Sequence, residues 1–293
     1  MDVASSPIPC RLCGGREARV CFQKDGYSIL KCSQCDLVYL DHAPQPDELL
    51  ALYSAEYFHD ASNHQGYHDY YTLQSSITAT AQMRLKQIAR FRSPGRLLEI
   101  GCAMGFFLQA AQRAGWQAQG VELSDYAASV AQEQFGLPVM RGRLEDAQFP
   151  AASFDVVVLW DVVEHVPAPV SLMRETARVL KPDGLIALST GDVASLVARV
   201  SGSRWHLYNV PQHLSFFSPK TLVHLLESVG LRMCRLRHDG AMYTLDYMAH
   251  RLKTIYPNQV ISRLCRAFRK TSLSHKSVWV NLGDIMTAFA GKD

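Results

Sequence analysis

Four cysteines near the amino terminus fall into two pairs, Cys10-x-x-Cys13 and Cys32-x-x-Cys35, with eighteen residues between the pairs. Two such knuckles at this separation supply four thiolates that can close tetrahedrally on Zn2+. A sphere filled by four sulfurs leaves no open position, so the expected ion is structural and not catalytic. Between the pairs, the apolar runs at Val20–Phe22 and Tyr27–Leu30 read as a short hairpin turning at Asp25-Gly26. Cys21, Cys102, Cys234 and Cys265 stand alone and are expected to be small buried hydrophobes.

A second constellation begins with RLLEIGCAMGFF at residues 96–107. An apolar run stops at Gly101, Gly105 follows, and Phe106 opens an apolar helical pattern. Strand, glycine loop and helix in this order can hold a nucleotide, or they can be purely structural. The spacing Gly101-x-x-x-Gly105 does not fit the G-x-G-x-x-G dinucleotide fingerprint. Ala103 between them is expected at negative φ, where its methyl group slightly restricts backbone approach. About twenty residues on, Gly120-Val121-Glu122-Leu123-Ser124 ends the next strand with an acid placed to accept both hydroxyls of a ribose. The alternative for Glu122 is a helix-capping acid, a role that Ser124 and Asp125 already fill.

Further along, Asp161, Glu164 and His165 form a D-x-x-E-H cluster. Two carboxylates and an imidazole can hold a hard divalent cation such as Mg2+, or they can cap a helix and shape a wall. Trp205, His206, Tyr208, Pro211, His213, Phe216 and Phe217 then crowd into thirteen residues. His213, with His206 as its rival, is a candidate general base, because imidazole titrates near neutrality. The alternative for His213 is a hydrogen-bonded residue that fixes its loop.

The elements that must position these residues are regular. A helix over 76–92 precedes strand 96–100, helix 105–114, strand 117–121, helix 124–135, strands 137–141 and 154–160, helix 168–180 and strand 184–190. Strands alternating with helices imply a parallel sheet covered on both faces, with ligands beyond the carboxyl ends of its strands. Residues 76–240 resemble the class I S-adenosylmethionine (SAM)-dependent methyltransferases. Glu99, Gly101 and Gly105 match that family's E/D-x-G-x-G-x-G loop, with Ala103 at the middle glycine. GVELS, SFDVVVLWDVVEHV and VLKPDGLIALST match its later segments in order.

The resemblance implies an α/β, Rossmann-like fold with a mostly parallel seven-stranded sheet, helices on both faces and a small amino-terminal zinc ribbon. It also implies a SAM site built from Glu99, Gly101, Cys102, Ala103, Gly105, Glu122, Leu123, Leu144, Glu145, Trp160 and Asp161. Glu122 would hold the ribose, and the Leu144–Glu145 region would face the adenine. The D-x-x-E-H cluster resembles the E-x-x-E-H metal set of ubiquinone-biosynthesis O-methyltransferases, with aspartate in place of the first glutamate.

Residues 1–40 are thus expected as a zinc ribbon, 41–75 as a connector and cap, 76–246 as the SAM-dependent domain and 247–293 as a basic helical extension. The segment 247–283 contains no Asp or Glu. Its Arg263, Arg266 and Arg269 flank an apolar stripe of Ile261, Leu264, Cys265 and Phe268, the pattern of a basic amphipathic helix. Such a helix packs on its own domain, or it meets an anionic acceptor, a membrane surface or an acidic partner. A net charge of +3 argues against a nucleic-acid partner. The opening MDVASSPIPCRLCGG is unlike a signal peptide and no run approaches about 18 apolar residues, so a soluble cytoplasmic protein is expected.

The expected function is methyl transfer from SAM to a small-molecule acceptor, on oxygen, in a glycan, natural-product or quinone-like pathway. The alternatives are C-methylation of a nucleotide-linked sugar, RNA methylation guided by the ribbon, and a non-catalytic binding module. The intact Glu99, Gly101, Gly105 and Glu122 argue against the last.

Overall fold

The structure is a computed structural model that describes residues 4–5, 8–45, 48, 51–59, 70–255, 258–269 and 271–292. Part of the expected cap, 60–69, lies outside the described residues. Strand β1 (Ala4–Ser5) pairs with β2 (Glu17–Lys24), which pairs with β3 (Tyr27–Cys32), and β4 (Val38–Leu40) follows antiparallel to β3. The β2–β3 hairpin turns at Asp25 and Gly26, both at positive φ.

The sequence pattern marks residues 1–40 as a module, yet the small sheet takes a strand from elsewhere. Ser215–Phe216 pairs antiparallel with β4, register Ser215 to Tyr39 and Phe216 to Val38. Phe216, Trp205 and Tyr208 share a core with Ile29, Val38 and Leu40. Cys10, Cys32, Cys35 and Leu37 belong to the same buried cluster as Leu98 and Val157 of the main sheet. The ribbon is therefore built into the protein.

The main sheet contains β5 (Arg96–Ile100), β6 (Gln117–Glu122), β7 (Val139–Arg141), β8 (Phe154–Trp160) and β9 (Leu180–Gly191). With Ser215–Phe216 as β10, the later strands are β11 (Leu231–His238), β12 (Ala241–Thr244), β13 (Ser277–Val280) and β14 (Ile285–Lys292). The seven-stranded order is β11-β14-β9-β8-β5-β6-β7, parallel except for β14, which runs antiparallel to both its neighbours.

Side chains alternate across the sheet with the strand period of two. Leu97, Val156 and Val158 pack in one core with Leu85 and Ile88 of the helix Gln74–Ile88, Phe107 of Phe106–Arg113 and Ala131 of Asp125–Phe135. Leu98, Val157 and Leu159 face the opposite core with Leu172 and Met173 of Pro169–Val179 and Leu222 and Leu225 of Pro219–Glu227. Both faces are covered, as a parallel sheet requires. Ser218 caps the last of these helices through a reciprocal pair with Thr221, with Pro219 at the first turn.

The boundary expected at 246 does not hold, because β14 returns into the sheet between β9 and the edge strand β11. The basic segment is an insertion between β11 and β14, a β12–β13 ladder carrying helices Leu245–Ile255 and Gln259–Arg269. In the second helix Cys265 is buried, whereas Leu264 turns outward and is 65% exposed, so the expected apolar stripe is only partly used. Arg269 pairs with Asp246 at 2.7 Å. Cys102 and Cys265 are buried as expected; Cys21 and Cys234 are exposed. Among the described residues no helix is long and apolar enough to cross a membrane.

Phe216 joins the ribbon to the main domain and is 3% exposed. Phe216→Ala is expected to cost about 3–5 kcal/mol in chemical denaturation. A loss below 1 kcal/mol would mean that the two parts are not mutually supporting.

Candidate active site

A cavity of about 560 Å3 opens at the carboxyl ends of β5, β6, β8 and β9. The loops after these strands line it, together with Tyr53, Tyr57 and Phe58 from the segment before the domain and Tyr243, Tyr247 and Arg251 from the insertion. Every residue expected at the SAM site lines this cavity except Gly105. Gly105 serves packing instead: its φ is +81° and a Cβ there would overlap the Leu137 side chain. Gly101, at φ +70°, lies where a Cβ would come within 2.7 Å of Val162. Both positions require glycine.

Ala103 corrects the expectation of negative φ, since it adopts φ +47°. This conformation costs an L-residue about 1–2 kcal/mol. It also aims the Ala103 N–H at Glu122 Oε2, 2.7 Å away, while the Ser124 N–H donates to Oε1 at 2.8 Å. Glu122 is buried, and burial raises its pKa while these backbone donors lower it. A carboxylate has about four acceptor sites, more than these backbone donors use, which leaves room for a ligand hydroxyl.

Deeper in the cavity, Glu99 Oε2 and Trp160 Nε1 are buried without a hydrogen-bond partner among the described residues. Burial holds the Glu99 carboxyl well above the usual range. The Arg84 guanidinium stacks 4.2 Å over the Trp160 ring and donates to Ser189 Oγ at 3.2 Å. Nothing in the sequence singled out Arg84. It is one arginine in a helix that precedes the glycine loop, and only packing of that helix against the sheet brings it to the cavity.

The expected Mg2+ site is not assembled. Asp161 accepts from Ser189 Oγ at 2.8 Å, lies 3.7 Å from Arg84, and does not converge with Glu164 and His165. Glu164 and His165 meet His213 instead, with ligand-type atoms within 4.8 Å of one another. Within this trio the His165 ring is engaged by neighbours of its own. Its Nδ1 is 2.8 Å from the Tyr53 hydroxyl, and it makes a further hydrogen bond to the Gln212 backbone. Burial lowers the His165 pKa to about 4. Glu164 is raised to about 8, by burial first and then by the charge of Asp161, and its Oε2 is unpartnered among the described residues.

The two candidate bases separate clearly. His206 does not line the cavity: its Nε2 is bonded to the buried Asp284 at 2.7 Å, beside a second bond to Asp284 from Trp205. His213 does line it. Its Nδ1 donates to the Leu207 carbonyl at 2.8 Å, so in the neutral ring Nε2 is the unprotonated nitrogen. Burial, and then the neighbouring His165, hold the His213 pKa well below the ordinary value.

At the ribbon, Cys10 and Cys35 sulfurs are 3.5 Å apart and Cys13 and Cys32 3.6 Å apart, and all four lie within 4.8 Å. A tetrahedral ion with sulfur ligands at 2.3 Å needs separations of about 3.8 Å. The donor set suits Zn2+.

The glycine loop after β5, the buried acid at the end of β6 and the strand order are those of a class I SAM-dependent methyltransferase. A model of the methyltransferase domain family matches residues 73–236, more than half of the chain, and the chain belongs to that family. It is 30% identical over 157 residues to the ubiquinone biosynthesis O-methyltransferase of Hahella chejuensis, covering 49% of this chain and 66% of that protein. The enzyme of the same name from Leptothrix cholodnii is 29% identical over 161 residues, covering 50% and 67%. The match thus spans about two thirds of these relatives. A SAM-dependent methyltransferase from Archaeoglobus fulgidus shares the fold, with TM-score 0.52 and 19% identity over 76% of this chain and 100% of that one. So does a protein from Pyrococcus horikoshii OT3, with TM-score 0.53 and 14% identity over 81% and 96%.

Glu164 yields a prediction with a definite sign. Its folded pKa of about 8 lies above the unfolded carboxylate value of about 4.3. Relative to a neutral side chain, its share of stability is intact below about pH 4 and is lost as pH rises through 8. Glu164→Gln should therefore leave the melting temperature unchanged near pH 4 and raise it near pH 8.5. An equal shift at both pH values would show that Glu164 does not titrate in this window.

Proposed function

We propose that this protein transfers the SAM methyl group to a hydroxyl oxygen of a small-molecule acceptor, with His213 as general base. The observation that carries this reading is that His213, held through Nδ1 by the Leu207 carbonyl, lines the same cavity as the glycine loop and Glu122. SAM, when bound, supplies a methyl group already activated as a sulfonium. The protein's own work is alignment of the acceptor and removal of its proton.

On the donor side, Glu122 takes the ribose hydroxyls, Leu144 and Glu145 flank the adenine, and the Gly101–Ala103 backbone borders the methionine half. Arg84 is the cation available for its carboxylate. On the acceptor side, Tyr57, Tyr243 and Tyr247 offer aromatic surface, and Tyr243 stacks on Tyr247 with ring centroids 5.5 Å apart. Such a wall suits a ring-bearing acceptor, in keeping with the relatives named for ubiquinone biosynthesis. Arg251 in the same wall suits an anionic substituent. The four ribbon thiolates hold a structural Zn2+ ion.

His213→Gln should lower kcat a hundredfold or more and leave SAM affinity nearly unchanged. Glu122→Ala should do the reverse at the first step, weakening SAM binding more than tenfold, since a charge-assisted hydrogen bond contributes about 1.5–3 kcal/mol. Turnover is read with isotope-labelled SAM against a panel of phenolic and sugar acceptors, and binding by calorimetry. Loss of SAM binding in His213→Gln would move that residue to the donor side.

Elemental analysis should return one zinc per chain. Cys32→Ser should lose it and loosen the Ser215–Phe216 strand, leaving the seven-stranded sheet folded. Zinc-free protein with an intact ribbon would refute the assignment.

A further inference from the structure

Tyr53 touches both halves of the site from a segment outside the family match. Its backbone carbonyl accepts a hydrogen bond from Ser124 Oγ at 2.7 Å. Ser124 is also the residue whose N–H donates to Glu122 and whose side chain caps the helix Asp125–Phe135. The Tyr53 hydroxyl, at the other end of the same residue, lies 2.8 Å from His165 Nδ1. One residue thus ties the ribose loop to the loop after β8.

From His165 the contacts continue to the base. The Glu164 carbonyl accepts from the Leu214 and Ser215 N–H groups at 2.8 and 3.2 Å, and the His165 ring bonds to the Gln212 backbone. These bonds flank His213 on both sides in sequence. The two imidazoles meet edge to face, with centroids 4.6 Å apart and planes at 81°.

We infer that Tyr53 is a positioning residue: its phenol sets the tautomer and ring plane of His165, and His165 in turn seats His213 with Nε2 toward the acceptor. The inference rests on His213 being the base. A neutral imidazole has one N–H and one lone pair. When the N–H goes to the Gln212 carbonyl, Nδ1 needs a donor, and the Tyr53 phenol is that donor. Burial and the neighbouring carboxylates of Glu122 and Glu164 keep the phenol protonated, raising its pKa above the ordinary value. Without it, a buried lone pair is left unmet, and the ring gains by turning over or changing tautomer, either of which releases Gln212 and the edge that seats His213.

Tyr53→Phe isolates this role, because it keeps the Ser124 bond to the backbone and the ring packing against Tyr57. The test is long-range proton–nitrogen correlation NMR of histidine-labelled protein, with SAM as the titrated probe. In the unsubstituted protein at pH 7, His165 should be the Nε2–H tautomer and His213 the Nδ1–H tautomer. In Tyr53→Phe the ring nitrogens of both should shift, while SAM affinity stays within about twofold. Superposable spectra in the two proteins would overturn the inference, as would His165 found in the Nδ1–H or charged form in the unsubstituted protein, which needs no variant to be stable. A joint loss of SAM affinity and of folding would also overturn it, by making Tyr53 a general structural residue. Failure of the base assignment itself is separable, since it appears as retained turnover in His213→Gln with these tautomers unchanged.

Discussion

The Glu122 carboxylate is the interaction on which the ligand end of the sheet depends. Two loops leave neighbouring parallel strands with their backbone donors unpaired, and each donates to one oxygen of this acid, from Ala103 and from Ser124. A carboxylate in that position would be costly to bury alone. With two N–H donors it becomes a strut, and it accounts for an alanine held at positive φ where a glycine would have been free of cost. The same acid lines the cavity, and its carboxylate has more acceptor sites than these two donors use.

Around this strut the cavity is lined by pieces distant in sequence. The ribbon sheet takes β10 as its edge, so the loop carrying His213 is bounded on one side by β4 and on the other by the Glu164 carbonyl. The insertion between β11 and β14 supplies Tyr243, Tyr247 and Arg251 to the same cavity. The cavity thus joins loops within the family match, residues 73–236, to Tyr53, Tyr243, Tyr247 and Arg251 outside it.

Much of this was legible in the residues. The strand–helix alternation from residue 96 to 190 carries strong periodicity, and the elements observed there coincide with those expected to within a few residues. The paired knuckles placed four sulfurs together because a CxxC turn constrains its own two thiols and the hairpin between them is short. Gly101 and Glu122 were readable for a similar reason, since both act within the local geometry of a strand end. His206 and His213 were not separable at this level: each is a histidine among aromatic residues, and only the distant Asp284, which ties His206 away from the cavity, distinguishes them.

By itself, the sequence determined the repeating α/β core, the cofactor loops and the ribbon knuckles, because each depends on residues near one another in the chain. Tertiary structure alone decided that Asp161 turns to Ser189 and Arg84, leaving Glu164 to converge with His165 and His213. It also decided that β14 enters the sheet beside β9 and that Tyr53 spans from Ser124 to His165. These arrangements join positions tens to more than a hundred residues apart. They are chosen by which buried polar groups can find partners once the layers have packed, and no local pattern of residue types encodes that choice.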